Sequence, residues 1–166
     1  MLSCRCLRLL GCFIFAVVAG SVARAVETPA WTTLTEMYGQ PLDSAPMRSM
    51  IARYKLRKIA NGASGSLGAT DHSYTLMYNG NQIDCIFFQV EPWPPGHGGW
   101  TTYTGELPFG LQASDDTERV AERLGPPSAS GSGHFQYKGY RLVIMFRETG
   151  RGIQDIYIWK DAKAGT

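Results

Sequence analysis

The sequence predicts an α+β fold of two tandem units, each a helix followed by a three-strand antiparallel meander. Three observations carry this. In PLDSAPMRSMIARYKL, the apolar residues Met47, Met50, Ile51 and Tyr54 fall at i, i+3, i+4 and i+7, one stripe of a helix. SYTLMYN and QIDCIFFQV are β-rich runs on either side of Gly80-Asn81, a hairpin signal. The order then recurs: YNGNQIDCIF and YKGYRLVIMF share a Tyr-x-Gly corner, with Tyr78 answering Tyr137 and Gly80 answering Gly139. One unit alone leaves the apolar face of its sheet uncovered. Two side by side are therefore expected to form a two-layer sandwich, with a sheet of about six strands, helices on one face and the other face at least partly open.

Taken in order, the chain begins with the layout of a secretory signal peptide over residues 1–25: Arg5 and Arg8, an apolar run from Leu9 to Ala19, and small residues at Ala23 and Ala25. The run is too short for a stable membrane span. Leu9-Leu10-Gly11-Cys12 loosely resembles a lipobox, but most of the apolar run follows Cys12, so cleavage near Ala25 is preferred to lipidation. The product, residues 26–166, is read as one domain, exported to the periplasm. Removing Arg5, Arg8 and Arg24 from the 16 Lys and Arg leaves 13 against 14 Asp and Glu. That near-neutral balance gives no reason to expect nucleic acid. Cys85 is the one cysteine left, so no internal disulfide is possible, and within IDCIFF it reads as a small buried hydrophobe.

The first unit spans about 39–104. Its helix runs from about Ala45 to Tyr54, with Ser44 as N-cap and Pro46 tolerated in the first turn. NGASGSLGATD reads as a flexible connector, and Trp100 to Thr104 as a third strand after the hairpin. The second unit spans about 105–160. In SDDTERVAERLGPP, Asp115 and Glu118 have capping-box spacing, and Gly125-Pro126 stops the helix. SASGSG is again a connector, followed by strands in HFQYKG, YRLVIMF and IQDIYIW. After Phe146 the connection is the compact RETGRG; the matching connection after Phe88 is the longer QVEPWPPGHGG. An elaborated loop of that kind is usually functional or disordered, and its tryptophans argue against plain disorder.

Few residues point to catalysis. His72, His97 and His134 lie in or beside loops without the close-spaced partner that a zinc site needs, so no metal is expected. GASGSLG lacks the Lys-Ser/Thr ending of a P-loop. Asp84 and Asp155 lie on strands, and nothing selects them as an acid–base pair. No catalytic residue and no cofactor are assigned. Arg53, Lys55, Arg57 and Lys58 form a basic cluster that is either a solvated helix end or a contact for an acidic surface. Trp93 and Trp100 sit among prolines and glycines, which suits interface anchors as well as a cap over the sheet.

The run LPFGLQASDDTERVAERLGPP, with its helix ending in Leu124-Gly125-Pro126 before a meander, resembles the small outer-membrane-assembly lipoproteins of the SmpA/OmlA type. Two such units in tandem resemble the β-lactamase inhibitor protein architecture, and similar modules occur among bacterial toxin immunity proteins. The resemblance implies a periplasmic, non-catalytic binding protein that blocks a toxin or envelope enzyme. Its partner would be a protein, contacted through Glu91, Trp93, His97, Trp100, Arg53 and Lys55. The alternatives are an envelope-assembly or cell-wall-associated accessory lipoprotein, and a small hydrolase built on His97 or His134.

Overall fold

Ser44 opens the longest of the described helices by accepting a hydrogen bond from the Met47 amide at 3.3 Å, and Pro46 fills its first turn. In the structure, a computed structural model describing residues 27–60, 62–69, 73–91, 101–131, 133–137 and 141–160, three α-helices are found among those residues. They are α1 (Trp31–Thr35), α2 (Ala45–Tyr54) and α3 (Thr117–Leu124). The α2 stripe is buried at Met47, Met50 and Tyr54, with Ile51 partly buried against the core. The cap of α3 is Asp116, which accepts from the Arg119 amide at 2.9 Å, and not Asp115 as the spacing suggested. Asp115 is buried, accepts from the Gln112 amide at 2.8 Å and pairs with Arg123 at 3.1 Å. Gly125, at φ 82°, ends α3 in a conformation that a side chain would strain.

Eight strands follow among the described residues: β1 (Arg57–Ala60), β2 (Ser64–Gly68), β3 (Tyr74–Asn79), β4 (Gln82–Gln89), β5 (Ala129–Gly131), β6 (His134–Tyr137), β7 (Leu142–Phe146) and β8 (Ile153–Trp159). They form one antiparallel sheet in the order β1-β2-β3-β4-β8-β7-β6-β5. This overturns the predicted fold of two helix-plus-three-strand repeats sharing about six strands in a sandwich. The molecule is mostly sheet, and neither half is a three-strand meander. The glycine-rich stretches expected to be connectors are strands: Ser64–Gly68 pairs with β3 from Ser64↔Asn79 to Gly68↔Thr75, and Ala129–Gly131 pairs with β6. Their backbone groups complete the ladder although their small side chains give no alternation. At Gly68 the missing side chain leaves room for Ile59 of the neighbouring strand, whose Cδ1 lies 2.1 Å from where a Cβ would sit.

Two further expectations change. Arg57 and Lys58, grouped with the helix end by sequence, lie on the edge strand β1, opposite Gly68 and Leu67. Thr101–Thr104 is not a strand; Tyr103 instead donates its amide to the Gln89 carbonyl at 2.7 Å and its hydroxyl to the Pro29 carbonyl at 2.5 Å. The hairpin at Gly80-Asn81 is present, with Gly80 at φ 61°. Residues 1–26 lie outside the described residues, and with them the signal segment and Cys12; so do Trp93, His97 and Trp100.

Period-2 alternation gives the sheet two different faces. Leu76, Ile86, Phe88, Ile144, Ile156 and Ile158 point into one core cluster with Leu34 of α1, Met47 and Met50 of α2, and Val120 of α3. The intervening residues Thr75, Cys85, Phe87, Gln89, Met145, Asp155, Tyr157 and Trp159 turn to the opposite face, and Cys85 and Phe87 are buried outside that cluster. No helix among the described residues is long and apolar enough to cross a membrane.

Candidate functional site

The face turned away from the helices holds the most unusual chemistry. β8 reads IQDIYIW, and with Ile156 and Ile158 committed to the core, Asp155, Tyr157 and Trp159 must emerge together on the other side. In β4 the same rule sends out Cys85, Phe87 and Gln89. The antiparallel register sets these side by side: Cys85 opposite Trp159, Phe87 opposite Tyr157, Gln89 opposite Asp155. The result is two rows running across the middle of the sheet.

The first row is aromatic. Phe87 and Tyr157 have ring centroids 4.9 Å apart, and Tyr157 stacks on Trp159 at 6.0 Å with planes 21° apart. Tyr157 and Trp159 remain half-buried. Trp159 forms a wall shared by two open grooves. One, of about 330 Å³, runs past Tyr137, Arg141 and Val143; the other, of about 390 Å³, runs past Ser66, Met77 and Asp84. Burial raises the Cys85 thiol to about 12, with Asp84 adding to the shift, so this cysteine stays protonated and inert at neutral pH. Burial also raises Tyr157, with contributions from Asp155 and Cys85.

The second row is polar and closed off. Gln89 is 0% exposed, Asp155 2% and Thr75 3%. Gln89 donates its amide nitrogen to the Glu91 carbonyl, which also accepts from Gln154 Nε2 at 2.8 Å. That leaves Gln89 Oε1, Thr75 Oγ1 and Asp155 Oδ1 without a hydrogen-bond partner among the described residues. Burial alone lifts the Asp155 carboxyl to about 7. At the end of the row, Glu91 forms an ion pair with Arg147 in the turn after β7, tying the end of β4 to that turn.

Of the residues singled out from sequence, Glu91 therefore lies two residues beyond β4 and is engaged by Arg147, while Trp93, His97 and Trp100 fall outside the described residues. Arg53 is exposed, bonds to both carboxylate oxygens of Glu27 at 2.7 and 3.2 Å, and lies over the Tyr54 ring. Lys55 adopts the left-handed C-cap of α2, at φ 54°. Both lie at the end of the helix that covers the core face. Sequence reasoning passed over Phe87, Thr75 and Gln89, read Tyr157 and Trp159 only as part of a strand, and placed Asp155 on that strand without selecting it. The readable signal was the alternation in IQDIYIW, which puts one acid and two aromatics on a single face.

Among the described residues, no three or more His, Cys, Asp or Glu side chains are grouped closely enough to hold a metal ion. The arrangement instead offers apolar contact area beside unsatisfied acceptor atoms, the chemistry of recognition. No protein-family model, no curated protein and no solved structure matches this chain.

Proposed function

We propose that this chain is an exported, non-catalytic protein-binding protein of the inhibitor or immunity kind, which docks a partner protein on the sheet face turned away from its helices. The observation that carries the reading is the row Phe87–Tyr157–Trp159, stacked across the centre of that face with an open groove on either side of Trp159. Aromatic rings held by a rigid sheet bury a large area at little entropic cost, which is why tryptophan and tyrosine dominate interface hot spots. A standard interface of about 1,600 Å² in total would extend well beyond this row. Glu91 lies two residues beyond the neighbouring strand, so the Trp93–Trp100 segment that follows it belongs to the same proposal by its place in the chain.

The experiment is affinity capture from the envelope fraction of the producing cells, with wild-type protein and two variants. Trp159→Ala is expected to weaken partner binding by about 2 kcal/mol or more, roughly 30-fold, with an unchanged circular dichroism spectrum. Trp31→Ala, in the helix layer, is expected to keep the partner. Equal retention by a folded Trp159→Ala protein defeats the proposal.

A further inference from the structure

The polar row beside the aromatics has chemistry of its own. We propose that Thr75, Gln89 and Asp155 form a subsite for a cationic side chain, an arginine guanidinium or a lysine ammonium, carried by the protein that docks on this face. The inference rests on the binding reading above and names the chemistry of one anchor.

The three residues lie on one face by register. Gln89 is directly opposite Asp155, and Thr75 is opposite Phe87, which makes it a diagonal neighbour of Gln89. Directly opposed side chains have Cβ atoms about 5 Å apart and diagonal ones about 7–8 Å, so Gln89 sits between the other two, within side-chain reach of each. Each residue is at least 97% buried, and each holds an oxygen without a hydrogen-bond partner among the described residues. Gln89 is held in orientation by its amide nitrogen, which donates to the Glu91 carbonyl and leaves its oxygen as the unsatisfied atom. The cation closest along the ladder, Arg147, is engaged by Glu91. What this site lacks is donors and positive charge. A guanidinium supplies five N–H donors in a planar fork, and an ammonium three.

The neighbourhood favours an organic cation. Phe87 and Tyr157 place aromatic rings beside the acceptors, able to contribute cation–π attraction. Calcium takes six to eight oxygen ligands, and the trio offers too few. The nearest cleft lies one strand away. A cleft of about 500 Å³ is lined by Met145, His134, Arg147 and Thr117, and Met145 is the register partner of Asp155. Methionine is flexible enough to yield to an entering side chain.

The test uses the full chain and needs no identified partner. Backbone amide spectra are recorded during titration with N-acetylarginine amide, N-acetyllysine amide, the neutral isostere N-acetylcitrulline amide, and calcium. Saturable shifts at Thr75, Gln89 and Asp155 are expected with the arginine or lysine compound, at about 1–10 mM. The Asp155 carboxyl should titrate about one pH unit lower when either is bound. Asp155→Asn should weaken that binding at least tenfold. Equal shifts with the citrulline compound or with calcium, or undiminished binding to Asp155→Asn, would overturn the subsite, as would silence from both cationic probes. If the variant fails to fold, the citrulline comparison on wild-type protein decides. Failure here beside a successful Trp159-dependent capture removes only the subsite; cation binding beside a failed capture removes the partner reading instead.

Discussion

Asp155 is a residue that burdens its own fold. Its carboxyl is 2% exposed, and its raised pKa of about 7 has burial as its cause, with no ion pair to a cation among the described residues. An unfolded aspartate titrates near 3.9, so between roughly pH 4 and 7 the folded chain holds a proton that the unfolded chain has released. Stability from this group is therefore full below about pH 4 and falls as pH rises towards 7. Asp155→Asn removes the dependence. We expect urea unfolding at pH 8 to show the variant roughly 1–3 kcal/mol more stable than wild type, with a flatter profile from pH 4 to 7. A variant less stable at pH 8 would contradict this account of the group. Asp115 shows the contrast: also buried, it is satisfied by the Gln112 amide and by Arg123. The two differ by their partners, which no local pattern of residues reveals. IQDIYIW announces alternation, but which face is closed off depends on strands far away in the chain.

At the scale of elements, legibility followed side-chain size. α2 could be read because Ser44, Pro46 and the Met47–Met50–Ile51–Tyr54 stripe all agree, and the β3–β4 hairpin because Gly80-Asn81 divides two β-rich runs. β2 and β5 could not. SGSLG and ASG have almost no apolar period, and their strand character comes from partners that need backbone groups to complete a ladder. Basic residues misled for a related reason, since Arg57 and Lys58 suit a helix end and an edge strand equally. Neighbouring acids also share the work at the start of α3 in a way spacing does not resolve: Asp116 caps while Asp115 packs inward. Asp116→Ala is accordingly expected to lower stability by about 1 kcal/mol in urea unfolding. No loss would mean that the cap bond adds nothing.

For the molecule as a whole, the strand order puts β4 and β8 at the centre, with β1 and β5 at the two rims. The centre carries fully buried Phe88 opposite Ile156 and Ile86 opposite Ile158, and the aromatic and polar rows lie on the reverse side of the sheet. Hydrogen exchange should follow this geometry. Amides of Ile86–Phe88 and Ile156–Ile158 are expected to exchange only by global unfolding, and those of β1 and β5 by local opening. Equal protection at rim and centre would argue against this topology. None of this order was legible in the sequence, because adjacency of β4 and β8 is a pairing between distant segments, and the similar Tyr-x-Gly corners suggested three-strand units where four strands run.

The pairing of β4 with β8 has a consequence in time. A ribosome delivers Gln82–Gln89 long before Ile153–Trp159, so for most of synthesis the inner edge of β4 has no neighbour. During that interval Ile86 and Phe88 flank an open ladder of the kind that recruits other strands. The seam closes with nearly the last residues of the sheet. Until then the nascent chain depends on whatever shields that edge, and the aromatic and polar rows do not yet exist as a surface.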